Sequence, residues 1–252
     1  MVRTSWGPHD YCTTADPGRA EDRVFVEDVY GRVCRDGFDA PGFCLVDLGA
    51  NTSSTSLRRF MIALKRQMQS IHQDRTGRVL VLMSAGRFDQ QVTTKFHRDG
   101  GPDECFLMLG YEPSGVSAEV SVADFSRCAF DMGLTPAAFL DKHNPMFTAG
   151  ELLLRPYTTS VRCFSSSHSQ VFFINNSVAP YSEAGGSWQG VLHTATVHNL
   201  SNALRRVVNS TLVASVPRGT QEPVSEAEQE DFMTTTVLRR RGHDKQYLED
   251  DP

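Results

Sequence analysis

The sequence has no long hydrophobic run, no CxxC spacing and no block of charge of one sign, and each absence removes a class of function. Its longest apolar stretches, such as Val79-Leu80-Val81-Leu82-Met83, are strand-sized and far short of a bilayer span. Six cysteines (12, 34, 44, 105, 128 and 163) are scattered through 252 residues. They read as reduced, mostly buried thiols, not as a disulfide framework. A zinc site from Cys163 and His168 would lack the paired-ligand spacing such sites use. The segment Met1 to Pro8 has no apolar core and so does not read as a secretion signal. A cytoplasmic protein is the expectation. With 25 basic against 30 acidic side chains, the charge carries neither a nucleic-acid nor a membrane footprint.

What is present is mostly short strands. The first forty residues are polar and broken by Gly and Pro, an irregular lead-in or covering segment. Phe43 to Leu48 reads as a strand. Asn51 to Ser54 then supplies capping residues, and Leu57, Phe60, Met61, Leu64, Met68 and Ile71 recur at three- and four-residue steps. That spacing puts one apolar stripe on a helix that Gly77 ends. Strand composition follows at 79–83, 91–97, 105–111, 116–120, 151–155, 161–164, 170–175, 189–194 and 206–215, with Gly-, Pro- and Asn-rich turns between. A helical insert is expected near 122–147, its second helix opening at Pro136. The fold class implied is mainly β with flanking helices, a double-sheet jelly roll in preference to an open parallel sheet. Residues 1–217 form the expected domain and 218–252 a polar tail, with a helical stretch near Val224 to Phe232. Arg239-Arg240-Arg241 in that tail reads as solvated surface before it reads as a site for an acidic partner.

The chemistry is concentrated in a few positions. An HxD triplet occurs twice, as His72-Gln73-Asp74 and His97-Arg98-Asp99. On a helix, residues two apart point about 200° around the axis and cannot hold one ion, so the first copy is expected on the surface of its helix. On an extended segment, residues two apart share a face. His97 and Asp99 can therefore reach one metal while Arg98 points elsewhere. Two imidazoles and a carboxylate hold Fe(II) on one face and leave the other open. For the second imidazole, His193 on a strand-like run is preferred to His198 in the connection after it. Gln170 to Ser177 is an apolar strand running into a polar turn shortly before that histidine. Beyond it stands Arg205-Arg206 at the head of an apolar strand, where a guanidinium is costly unless solvated or paired with an anion. Their side chains alternate, so one of the pair points inward.

This order of residues resembles the iron(II)- and 2-oxoglutarate-dependent dioxygenases, over roughly Val79 to Ser215. The resemblance implies a distorted double-stranded β-helix, a relative of the jelly roll. It implies His97, Asp99 and His193 as iron ligands, with Arg206 or, failing that, Arg205 binding the distal carboxylate of 2-oxoglutarate. Arg206 is preferred, because members with an Arg-Arg pair here tend to use the second. Asp99 fills the position that is a small residue in the halogenating branch, so halogenation is not implied. The expected activity is hydroxylation of a C–H bond in a small-molecule or peptide substrate, with O2 as oxidant. Arg87, Gln90, Gln91 and Thr93 are candidates for the mouth of the site, and the insert for a lid. Two other readings remain: a cupin-like metalloenzyme that does not use 2-oxoglutarate, and a non-catalytic jelly-roll binding protein.

Overall fold

The computed structural model describes residues 5–240, so Arg241 and the residues beyond it lie outside the described residues. A short helix α1 (Pro8–Tyr11) leads into strand β1 (Cys12–Thr14), a 3-10 turn (Pro17–Glu21) and helix α2 (Arg23–Val33). Strand β2 (Phe43–Asp47) precedes the long helix α3 (Ser54–Thr76). Ser53 caps α3 by accepting from the Ser56 amide, and Gly77 ends it in the left-handed region at φ 70°. The apolar stripe read from spacing is buried along its whole length. Strands β3 (Val79–Asp89), β4 (Cys105–Tyr111) and β5 (Ala118–Ala123) follow. The insert comprises α4 (Phe125–Asp131), α5 (Pro136–Lys142) and α6 (Thr148–Leu154). Strands β6 (Thr158–Ser160), β7 (Gln170–Asn175), β8 (Leu192–Val197) and β9 (Val207–Val216), helix α7 (Glu226–Thr234) and strand β10 (Arg239–Arg240) complete the order.

Two sheets face each other without closing into a barrel. The larger runs β1-β2-β7-β4-β9-β3-β10 and the smaller β6-β5-β8. All pairings are antiparallel except β1 with β2 and β10 with β3. Alternation along each strand divides the apolar residues between two faces. Leu107, Leu109, Tyr111, Phe172, Ile174 and Val208 of the large sheet meet Val120 and Val122 of the small one. Phe106, Met108, Val171 and Phe173 point the other way, into α2, α3 and α7. The insert helices cover the outer face of the small sheet through Phe125, Phe139, Ala123 and Leu192. The result is four layers, with the insert and the α2, α3 and α7 helices on the two outer faces.

Several expectations need correction. Residues 151–155 are helical rather than extended, because Leu154 is buried against the insert core while Leu152 stays exposed. Residues 161–164 form a turn after β6. The strand expected at 189–194 starts later, at Leu192, because Gln189 and Gly190 are spent on a backbone crossing. Part of the segment beyond Pro217, among the described residues, packs on the domain. Val224, Phe232 and Met233 join the core under α3, and the buried Arg58 donates to the carbonyls of Phe232 and Thr235 at 2.9 and 2.7 Å. Lys65 of α3 pairs with Glu222 in the same region.

His72 is the clearest correction. It was expected on the helix surface and is instead 1% exposed. The helix faces the sheet there, and the ring is satisfied on both sides, by the Tyr30 hydroxyl at Nδ1 (2.8 Å) and Ser215 Oγ at Nε2 (3.0 Å). Asp74 points to solvent, so the triplet binds nothing jointly. Burial lowers the His72 pKa to about 4. Above about pH 6.5 the imidazole is neutral in both folded and unfolded chains. Below it, down to about 4, only the unfolded chain takes up the proton, so stability falls as pH falls. The slope from this group approaches about 1.4 kcal/mol per pH unit. Denaturant unfolding at pH 7 and pH 5 should show this loss, and His72→Gln should show a shallower dependence on pH.

Candidate metal centre

His97 and His193 belong to segments that pair directly. Their backbones exchange both hydrogen bonds, each 3.1 Å, in a single β-bridge. Residues 91–97 were expected to form a strand, yet only this bridge and the Thr94 amide to Ala195 carbonyl bond are made backbone to backbone. Threonine hydroxyls replace the rest of the ladder: Thr94 Oγ1 accepts from the Ala195 amide and Thr93 Oγ1 from the Val197 amide. The segment thus acts as a fourth, irregular strand of the small sheet. His193 pairs with Val122 in the register of β5 and β8 and shares its inward face.

The ligand atoms of His97, Asp99 and His193 all lie within 4.8 Å of one another. His97 Nε2 is 3.5 Å from Asp99 Oδ1, and the two imidazole rings are 4.2 Å apart at 46°. His97 Nδ1 lies 2.8 Å from the Lys95 carbonyl. A carbonyl only accepts, so Nδ1 carries a proton and Nε2 is turned toward the carboxylate. Two imidazole nitrogens and one carboxylate oxygen at this spacing suit a single first-row divalent cation.

Asp99 is held by its backbone. The buried Asn176 side chain accepts from the Asp99 amide (3.1 Å) and donates to the Asp99 carbonyl (2.9 Å). Arg98 turns away, as expected, and its guanidinium donates to the carbonyls of Asn176, Gly101 and Pro102 at 2.7 to 2.9 Å. His198 stands apart from the cluster, 46% exposed and paired with Glu119 at 3.3 Å. His168 is paired with Asp47 at 2.9 Å and Cys163 lies beside Cys12, and neither belongs to a group of three metal-ligating side chains among the described residues.

The two arginines differ sharply. Arg205 is 51% exposed and ion-paired with Asp89 at 2.9 Å. Arg206 is 4% exposed and shares the inward face with Val208. One terminal nitrogen donates to the Gln90 carbonyl at 2.8 Å. The other, Nη2, is buried with no hydrogen-bond partner among the described residues. The guanidinium lies 5.1 Å over the Tyr111 ring. Burial raises the Tyr111 pKa, opposed by the charge and the side-chain approach of Arg206 and reinforced by the Asp99 charge.

Two candidates for the mouth are committed elsewhere: Arg87 forms a two-pronged pair with Glu112, and Gln91 bonds Asp89 and the Leu204 carbonyl. Gln90 is not: its carbonyl holds Arg206, and its side-chain Oε1 is buried without a hydrogen-bond partner among the described residues. Sequence reasoning missed Asn176 and Tyr111 as parts of the site. The polar turn after β7 was visible as a signal for Asn176, whereas nothing marked Tyr111 among the apolar residues of β4.

No protein-family model matches the sequence, and no curated protein matches it. Two solved structures of the iron and alpha-ketoglutarate-dependent endoperoxidase NvfI overlay on it. One, a tryptophan-to-phenylalanine variant, is 12% identical, covers 70% of this chain and 79% of that one, and gives a TM-score of 0.38. The other, described as having a different conformation, is 14% identical, covers 75% and 84%, and gives 0.39. Likeness at this level carries neither fold nor chemistry across, so the site stands on its own residues. Among the described residues, no helix is long and apolar enough to cross a membrane.

Removing the Asn176 clamp should loosen the motif selectively. Asn176→Ala deletes two hydrogen bonds to Asp99 and should cost about 2–4 kcal/mol by denaturant unfolding. Amide hydrogen exchange should accelerate at Arg98 and Asp99 by more than this global loss explains, while β4 and β9 follow global unfolding alone.

Proposed function

We propose that the protein is a non-heme Fe(II)- and 2-oxoglutarate-dependent oxygenase that hydroxylates a C–H bond of a small-molecule or peptide substrate, with O2 as oxidant. The fold on this reading is a distorted double-stranded β-helix, with the 93–97 segment as the irregular strand of its smaller sheet. The observation that carries the proposal is the convergence of His97, Asp99 and His193 within 4.8 Å. Support comes from the buried guanidinium of Arg206, which leaves Nη2 unsatisfied between the sheets. A buried cationic donor of this kind is stabilised by an anion, and a planar fork suits a carboxylate.

His97, Asp99 and His193 would hold iron, which when bound supplies oxygen activation and C–H oxidation. Arg206 would hold the distal carboxylate of 2-oxoglutarate. Tyr111 supports the guanidinium face, and its phenol stays protonated because burial raises its pKa. The Lys95 carbonyl fixes the His97 ring, and Asn176 fixes the Asp99 backbone, so neither ligand has to be ordered when the metal arrives. The Val120, Val122, Leu107 and Leu109 side chains between the sheets exclude water from the inward side.

Adding Fe(II) and 2-oxoglutarate to metal-free protein without oxygen should produce a visible charge-transfer absorption band, absent in Asp99→Ala. Bound iron without that band in the wild type would sink the 2-oxoglutarate reading. Arg206→Ala should weaken 2-oxoglutarate binding at least about tenfold, or 1.4 kcal/mol, with little change in iron affinity. Arg205→Ala, which breaks only a half-exposed pair with Asp89, should change 2-oxoglutarate binding by less than about threefold.

A further inference from the structure

We infer that the substrate is uncharged and hydrocarbon-rich around its reacting carbon and carries a hydrogen-bond acceptor nearby. This rests on the oxygenase reading of the same centre and extends it to substrate class. A cleft of about 290 Å³ lies beside His97 and Asp99, between the motif and the helical insert. That volume is at the small end for ligand pockets. Its walls are Phe96, Leu140, Pro145, Met146 and Leu192, so the surface offered to a ligand beside the metal ligands is chiefly apolar.

The charges on this cleft are already used. Among the described residues Arg98 is its one arginine or lysine, and its guanidinium is spent on the carbonyls of Asn176, Gly101 and Pro102. The Asp99 carboxylate belongs to the His-Asp-His cluster. A charged substrate would therefore lose its hydration and gain no counter-ion. Asn144 supplies the polar contact. Its Oδ1 accepts from the Met146 amide at 2.9 Å, which orients the side chain and leaves the amide nitrogen as a donor for the ligand.

The insert holds this wall in place. A Cβ on Gly150 would stand 2.4 Å from the His143 carbonyl oxygen and 2.5 Å from that of Asn144, so α6 packs directly on the turn that presents Asn144 to Met146. Lys95, two residues before His97, pairs with Glu151 of α6 at 2.9 Å. Met146 and Phe147 are nevertheless 54% and 69% exposed. The apolar wall thus continues onto the surface, as expected where a partly buried apolar ligand completes it.

The test is calorimetric titration of the full metal-free chain with three probes of one shape: adamantyl methyl ketone, adamantane carboxylate and adamantyl ammonium. The ketone should bind at least tenfold more tightly than either ion. Met146→Asp, a change at an exposed position that the fold tolerates, should weaken the ketone about tenfold. Asn144→Ala should weaken it several-fold. Equal binding of the three probes, no binding of the ketone, or no effect of Met146→Asp would each overturn the inference. The charge-transfer band separates this from the parent reading. Its absence with ketone selectivity intact removes the oxygenase and keeps the apolar cleft, whereas its presence without selectivity removes only the substrate class.

Discussion

Three consecutive buried side chains, Asn175, Asn176 and Ser177, tie together the segments that carry the His-Asp-His cluster. Asn175 Nδ2 donates to the Val33 carbonyl at the end of α2, and its Oδ1 accepts from the Ser177 amide. Asn176 clamps Asp99. Ser177 Oγ donates to the Cys105 carbonyl and accepts from the Cys105 amide. The backbone of the same turn receives the Val191 amide at Asn175 and gives its own Asn176 amide to Cys105. Polar groups this deep are costly unless satisfied and highly specifying when they are. One turn thus sets the positions of the HxD loop, the start of β4 and the approach to His193 together.

A steric constraint makes that turn possible. A Cβ on Gly190 would stand 2.0 Å from the Ser177 carbonyl oxygen, so the chain entering β8 crosses the turn at a distance only glycine permits. Gln189, just before it, is anchored from the other side. Its carbonyl accepts from Arg35 Nε at 2.9 Å, while the Arg35 terminal nitrogens grip Asp124 at 2.8 and 2.6 Å. Asp124 also caps α4. Breaking such a buried pair from one side leaves an uncompensated charge. The same arginine therefore couples the insert that walls the cleft to the strand that carries His193.

Much of this was legible in the residues, and the failures share a cause. Strands β4 and β7 appear where alternation and composition put them, because both are central and covered on two faces. Helix α3 is legible from its stripe, its cap and Gly77. Reading His97-Arg98-Asp99 as the useful triplet rests on extended geometry, and the side chains do diverge as that geometry requires. The segment itself, however, is held by Thr93 and Thr94 hydroxyls rather than a regular ladder, which composition does not reveal. His72 was misplaced because α3 is buried both against α2 and against the large sheet, and a histidine can be satisfied there by Tyr30 and Ser215. The helical stretch near Val224 to Phe232 is legible, as α7 shows, but its docking under α3 is not, because only Val224, Phe232 and Met233 carry that packing. Long-range partners decide each of these positions.

Arg205 and Arg206 show how one step along a strand separates structure from chemistry. Both meet Asp89, Arg205 by its guanidinium and Arg206 by its backbone amide at 3.1 Å. Asp89 is held below the usual carboxylate range, its burial more than offset by bonds from Arg205, Arg206 and Gln91. One carboxylate thus neutralises the outward arginine and fixes the backbone of the inward one, without reaching the inward guanidinium. Arg206 is left buried, its guanidinium over the Tyr111 ring and, among the described residues, one terminal nitrogen without an acceptor. The apolar cleft lies along His97 and Asp99 toward the insert, where charge is already spent. On the proposed reading, the acceptor-poor guanidinium of Arg206 would draw the anionic co-substrate, whereas a cleft whose charges are already engaged would favour a neutral substrate.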